Sequence, residues 1–310
     1  MPSRPPEGPN ASLRPRRAVL AIAVLLAACK VTDDASFRRA SADRLPAPAG
    51  SSARAELDPG DEPIPEGQLG TSIRRGRAIV MATRDSLPRN VGNELRCVSC
   101  HLDEGRRPFA MPWTGVVARY PQYLSRSNRV ESIEDRINGC FRRSLAGRPL
   151  AADASAMRDI VAYFAHLSRG VPVGTTVTGQ GVDSVKAPER GDTARGRVVY
   201  RAQCERCHGA SGEGVRPNPP LWGRHSFTIA SGMARWRLAA AFIGHNKTGD
   251  RRESLSTREA VDVAVFLAAR TRPRLAGQEG DWPLGNEPDD VPYRTTASRL
   301  QRAARARPGT

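Results

Sequence analysis

The sequence predicts a mainly α chain: two tandem helical domains with long loops, preceded by an export signal and a flexible tether. Three observations point there. The pattern Cys-x-x-Cys-His occurs twice, at Cys97–His101 and Cys204–His208. An Arg-Gly-Arg segment within a helix-like stretch precedes each copy, at Arg75–Arg77 and Arg195–Arg197. A helix-like segment closes each half. A chain of 310 residues has room for two domains of about 100 residues each, plus tails.

Taken in order, Arg14, Arg16 and Arg17 precede the apolar run Ala18–Ala28, which is too short to span a bilayer. This is the pattern of a signal peptide. The run ends Leu26-Ala27-Ala28-Cys29, which resembles a bacterial lipoprotein box. That resemblance implies removal of residues 1–28 and a lipid on Cys29, which would anchor a periplasmic protein to a bacterial membrane. Lys30 follows where an aspartate would retain the protein at the inner membrane, so the outer membrane is favoured. The alternative is a soluble periplasmic protein cut after an Ala-x-Ala-like site. Residues 29–69 are rich in Ala, Ser, Pro, Asp and Glu with little periodicity, and read as a flexible tether.

The first domain is expected over residues 70–175. Thr71–Thr83 reads as its opening helix. Met157, Ile160, Val161, Phe164 and Leu167 mark its closing helix by their i, i+3, i+4, i+7, i+10 spacing. The second domain is expected over 176–275. It opens with Thr193–Ala202, and a Ser256-x-x-Glu259 capping box precedes Ala260–Ala269. Gly76 stands 21 positions before Cys97, but Gly196 only 8 before Cys204, so the first half carries a 13-residue insertion there. Residues 171–190, rich in Gly, Val, Thr and Pro, read as a linker. Residues 276–310 read as a tail that wraps the body and ends in a basic, disordered stretch.

Each Cys-x-x-Cys-His reads as a c-type haem attachment site: two thiols hold the porphyrin and the histidine ligates iron. Helix, haem motif, ligand loop and closing helix is the order of a cytochrome c domain, here twice, with two covalently bound haem c groups. Disulfides or a zinc site would leave the histidine after each pair a coincidence. Cys97, Cys100 and His101 hold the first haem; Cys204, Cys207 and His208 hold the second.

The sixth iron ligands must come from elsewhere. Glu131–Ser144 reads as a helix capped by Ser132, with Glu134 and Asp135 at its positive end. Arg136, Cys140 and Ser144 share one face at i, i+4, i+8. A thiol beside guanidinium groups deprotonates readily, and only the thiolate ligates iron or attacks sulfur. Cys140 is therefore the candidate for the first haem. An ordinary buried cysteine is the plain alternative, and His166 is a competing ligand. For the second haem the candidates are Lys247, Met233, His225 and His245. Arginine cannot serve, whereas a buried lysine can lose its proton.

The formal net charge is +16. Residues 70–175 and 176–275 each carry +8, whereas residues 30–69 carry −3, so the positive charge belongs to the folded halves. That matches an anionic substrate or an acidic partner protein, or simply a basic, soluble surface. No nucleic-acid-binding motif occurs, and an exported protein would not meet nucleic acid.

Together these motifs resemble the dihaem thiosulfate dehydrogenases, over roughly residues 70–293. The resemblance is carried by Tyr120-Pro121-Gln122-Tyr123 with Arg126, by Arg136–Ser144, by Cys204–Gly209, and by Pro219–Gly223. Ser226-Phe227, Gly232-Met233, Asp281-Trp282-Pro283 and Asp290–Tyr293 complete it. It implies that two thiosulfate ions are joined into tetrathionate, possible in either direction, with electrons leaving through the second haem to an acceptor cytochrome or other periplasmic redox protein. It also implies that Cys140 is the sixth ligand of the first haem, and that Arg126, Arg136 and Ser144 line the thiosulfate site. Lys247 would ligate the second haem. The next position, commonly methionine in the family, is Thr248 here, which leaves open the potential of that haem and its electron acceptor. Two other functions remain possible: a membrane-tethered dihaem electron carrier with no substrate, and a sulfur-carrier cytochrome that transfers thiosulfate to a protein cysteine. A pure carrier needs no arginine-flanked thiol beside a haem.

Overall fold

The computed structural model describes residues 63–183, 191–246 and 255–305. The signal peptide, Cys29, the tether as far as residue 62, and Lys247 lie outside the described residues. Among the described residues no helix is long and apolar enough to cross a membrane.

In the first half, α1 (Gly67–Met81) packs against α3 (Ser155–His166), and α2 (Ile133–Arg143), from the segment between the haem motif and α3, also touches α3. In the second, α6 (Thr257–Ala268) packs against both α4 (Thr193–Gln203) and α5 (Trp236–Asn246). The repeated Arg-Gly-Arg has a packing role. A Cβ on Gly76 would stand 1.9 Å from the Asp159 carbonyl oxygen, so only glycine lets α1 cross α3 this closely. Beside it, Arg75 pairs with the buried Asp159 at 2.8 Å. The second half repeats both features. A Cβ on Gly196 would stand 2.1 Å from the Asp262 carbonyl oxygen, and Arg195 pairs with Asp262 at 2.8 Å.

Val80, Ile137, Phe141, Met157, Ile160 and Tyr163 lie in the core of the first half, and Phe227 and Ala234 from the second half belong to the same cluster. The two halves are also stitched by hydrogen bonds. Asn93 donates to the carbonyls of Ser144 and Ser226 at 2.8 and 3.1 Å, and the Thr228 amide donates to the Arg143 carbonyl at 3.0 Å.

Three segments differ from expectation. Residues 171–183 are no bare linker: the amides of Phe109 and Met111 donate to the carbonyls of Gly179 and Gly181, each at 2.6 Å. A short hairpin, β1 (Gln122–Leu124) against β2 (Arg129–Glu131), interrupts the helical chain, with Leu124 opposite Arg129. The basic C-terminal stretch, expected to be disordered, forms α7 (Thr296–Arg305). Its start is fixed by Thr295, whose hydroxyl accepts from the Ser298 amide at 3.0 Å.

Candidate functional site: an arginine-flanked thiol facing a haem-motif histidine

Ser132 caps α2: its hydroxyl accepts from the Asp135 amide, and the Asp135 carboxylate accepts from the Ser132 amide, both at 3.2 Å. Ile133, Ile137 and Phe141 turn one stripe of the helix into the core. Arg136 and Cys140, with Ser144 just past the last turn, therefore lie on a different stripe. Arg136 Nη1 donates to Cys140 Sγ at 2.9 Å. Arg136 is exposed and Cys140 half-buried, so the pair is not closed inside the packed core.

Three cysteines meet here under opposite influences. Burial pushes Cys97 and Cys100 up to about 12. Burial also pushes Cys140 up, but the Arg136 guanidinium, with a lesser contribution from the facing His101, outweighs it and brings the thiol down to about 6. The Arg136 guanidinium is held more firmly protonated in return.

His101 faces Cys140 on one side. On the other its Nδ1 lies 2.6 Å from the Met111 carbonyl oxygen. That carbonyl can only accept, so Nδ1 carries the proton and Nε2 keeps its lone pair for a metal. Trp113 stacks on His101 at 4.9 Å and on Phe164 at 4.6 Å. A Cβ on Gly105, whose φ is +82°, would stand 1.9 Å from the Trp113 ring. The pairs Phe109–Gly179 and Met111–Gly181 fix the loop that supplies the Met111 carbonyl.

The second half repeats this arrangement. His208 Nδ1 lies 2.8 Å from the Pro219 carbonyl oxygen, and burial pushes the imidazole below its ordinary value, favouring the neutral, ligating form. A Cβ on Gly212 would stand 2.3 Å from Trp222. The five described cysteines are all free thiols. No three His, Cys, Asp or Glu side chains gather into a metal-holding group among the described residues. The donor set fits c-type haem: free thiol pairs, each followed by an imidazole oriented through Nδ1, with a low-pKa thiol facing the first.

Arg126 lies in the turn of the hairpin. Its Nη1 donates to the Ala230 carbonyl at 2.9 Å, and its guanidinium stands 4.4 Å over the Trp282 ring. Burial, then the neighbouring Arg143, brings it down to about 10, still charged at neutral pH. Ser144 Oγ lies 3.2 Å from Ser231 Oγ. Arg143 makes a two-pronged pair with Asp281, at 2.7 and 2.8 Å, and Tyr293 also donates to Asp281. Cys140 and Arg136 are thus in direct contact, Ser144 follows one turn on, and Arg126 approaches from the hairpin.

Among the other candidate ligands, His166 is buried at the end of α3. Met233 packs against the core of the first half and against the Ala239, Ala240 and Val261 cluster. His225 is exposed, and His245 packs against Phe109 at 4.3 Å. Sequence reasoning gave no role to Arg143, Asp281 or Trp282, although Asp281-Trp282-Pro283 was a visible motif.

The profile of the SoxA/TsdA cytochrome c domain matches residues 89–173, and that of the cbb3-type cytochrome c oxidase subunit III matches residues 191–267. A thiosulfate dehydrogenase of Psychrobacter arcticus is 38% identical over 239 residues, covering 75% of this chain and 73% of that protein. One from Allochromatium vinosum is 42% identical over 228 residues, covering 70% and 84%. Among solved structures, the thiosulfate dehydrogenase TsdBA of Marichromatium purpuratum in its as-isolated form superposes with a TM-score of 0.65 at 35% identity. That match covers 69% of this chain and 49% of the other, so this chain spans about half its length.

Proposed function

The chain belongs to the thiosulfate dehydrogenase family and carries two cytochrome c domains, and from that premise we propose that it joins two thiosulfate ions into tetrathionate at Cys140. The observation that carries this is the Cys140 sulfur held 2.9 Å from Arg136 while facing His101. A pure electron carrier has no use for a nucleophilic thiol at that place.

Joining two thiosulfates forms one S–S bond and releases two electrons. Cys97, Cys100 and His101, and Cys204, Cys207 and His208, would hold two c-type haems, each of which would supply the uptake of one electron for delivery to an acceptor cytochrome or other periplasmic redox protein. The residues of the chain do the rest. Cys140, as thiolate, bonds to the terminal sulfur of a first thiosulfate as two electrons leave. A second thiosulfate attacks that sulfur, forms the S–S bond of tetrathionate and returns Cys140 as thiolate. Atoms and charge balance, and the exchange step is reversible in principle.

Repulsion is the main obstacle. Two dianions brought to ~4 Å involve four pairs of unit charges at roughly 1 kcal/mol each in water, more inside protein. Arg126 and Arg136 offset that repulsion, and Ser144 offers a hydrogen bond. Lys247 is the proposed sixth ligand of the second haem, with Met233 as the alternative. A lipid on Cys29 would tether the protein on the periplasmic side of a bacterial membrane, the outer one by the residue that follows. Purified protein should reduce an artificial acceptor only when thiosulfate is added, yielding tetrathionate. Inertness to both sulfur compounds would overturn the proposal.

A further inference from the structure

The C-terminal strap, residues 276–293, reaches back over the arginines of the body. It meets three of them with carboxylates. Asp281 pairs with Arg143, Asp290 with Arg235 at 2.7 Å, and Asp289 with Arg237 at 2.8 Å. Each of those cations has a carboxylate partner, buried for Arg143 and Arg235 and exposed for Arg237. Arg126 is met differently. Next to Asp281 the strap presents Trp282, whose ring lies 4.4 Å under the Arg126 guanidinium and whose amide donates to the Arg126 carbonyl at 2.8 Å. Trp282 is only 3% exposed, and its backbone is held at φ +50°. Among the described residues Arg126 has no carboxylate within ion-pair distance; Asp281, already bonded to Arg143, acts on it only from farther away, and one of its five N–H donors is spent on Ala230.

An aromatic face attracts a cation through its quadrupole and leaves the full positive charge in place, which a carboxylate would not. We propose that Trp282 is a positioning residue for thiosulfate oxidation: it holds Arg126, charge uncancelled, with donors turned to the sulfonate oxygens of the dianion. This rests on Arg126 belonging to the thiosulfate site. Asp281 gives the complementary half of the arrangement. By neutralising Arg143 it leaves Arg126 and Arg136 as the charges a substrate meets.

The test is steady-state kinetics of the dihaem holoprotein with thiosulfate and an artificial acceptor. Trp282→Leu should raise KM roughly tenfold while kcat changes by no more than about twofold, and the optical spectrum of the first haem should not move. Trp282→Phe keeps an aromatic face and should restore most of the KM. Trp282→Met fills the space without one, and repeats the test if the leucine variant fails to fold. Arg126→Gln should raise KM at least as far as Trp282→Leu. If Arg126→Gln raises KM and the leucine and methionine variants match wild type, the positioning role is wrong and the thiosulfate site stands. If Phe is as impaired as Leu, the aromatic face is not what matters and the proposal fails. If Arg126→Gln itself binds thiosulfate like wild type, the assignment of Arg126 fails first.

Discussion

Arg136 Nη1 and Cys140 Sγ stand 2.9 Å apart, one helical turn from each other on the same stripe of α2. The contact stabilises the thiolate, and under the proposed mechanism it also supplies a positive charge for the anionic substrate.

Arg136→Ala removes both. A hydrogen bond to a charged group contributes about 1.5–3 kcal/mol, so kcat/KM for thiosulfate should fall by about one to two powers of ten. The pH dependence follows from the sign of the shift. With the Cys140 thiol brought down to about 6, the thiolate persists through neutral pH and is lost as pH falls through that value. In Arg136→Ala the acid limb of the rate profile should move upward, toward the ordinary cysteine range. An unmoved limb would show that Arg136 does not set the thiol.

Much of this was legible in the sequence, because local chemistry fixed it. The Ser132 cap, the i, i+4 spacing of Arg136 and Cys140, and the Ser256–Glu259 box are short-range features, and the structure forms all three. The Arg-Gly-Arg echo was visible as a repeat, but not its cause, because Asp159 and Asp262 lie 84 and 67 positions from the arginines they pair with. Trp282 and Asp281 escaped for the same reason: their partners Arg126 and Arg143 are far away in the chain. The hairpin that carries Arg126 has strands of three residues, too short to show an alternating pattern.

The helix crossings predict a response to acid. Asp159 is held below its ordinary value by hydrogen bonding from Arg75. Asp262, despite its burial, is held low by Arg195. A depressed carboxylate contributes stability above its unfolded pKa and loses it as pH falls through the folded one. The melting temperature should therefore drop as pH falls below the usual carboxylate range, and Asp159→Asn should lower it at neutral pH while flattening its pH dependence. A wild-type melting temperature independent of acid would contradict this.

Gly105→Ala puts a methyl group into the Trp113 ring and strains a residue at φ +82°. Overpacking of this kind costs about 1–3 kcal/mol, so thermal melting should show a clear loss. Because Trp113 stacks on His101, the spectrum of the first haem should shift as well, and that of the second should not.

For the second haem, Lys247→Ala should change the ligand-field spectrum and the potential of that haem alone. Met233→Leu should leave both unchanged. The reverse outcome would make Met233 the ligand.

The most direct test is thiosulfate turnover by Cys140→Ala, with intact mass measured on the same sample. The account predicts a mass carrying two covalent haems, as in wild type, together with collapse of thiosulfate-dependent reduction and of tetrathionate formation. A Cys140→Ala protein that keeps both haems and turns over thiosulfate at the wild-type rate would contradict it.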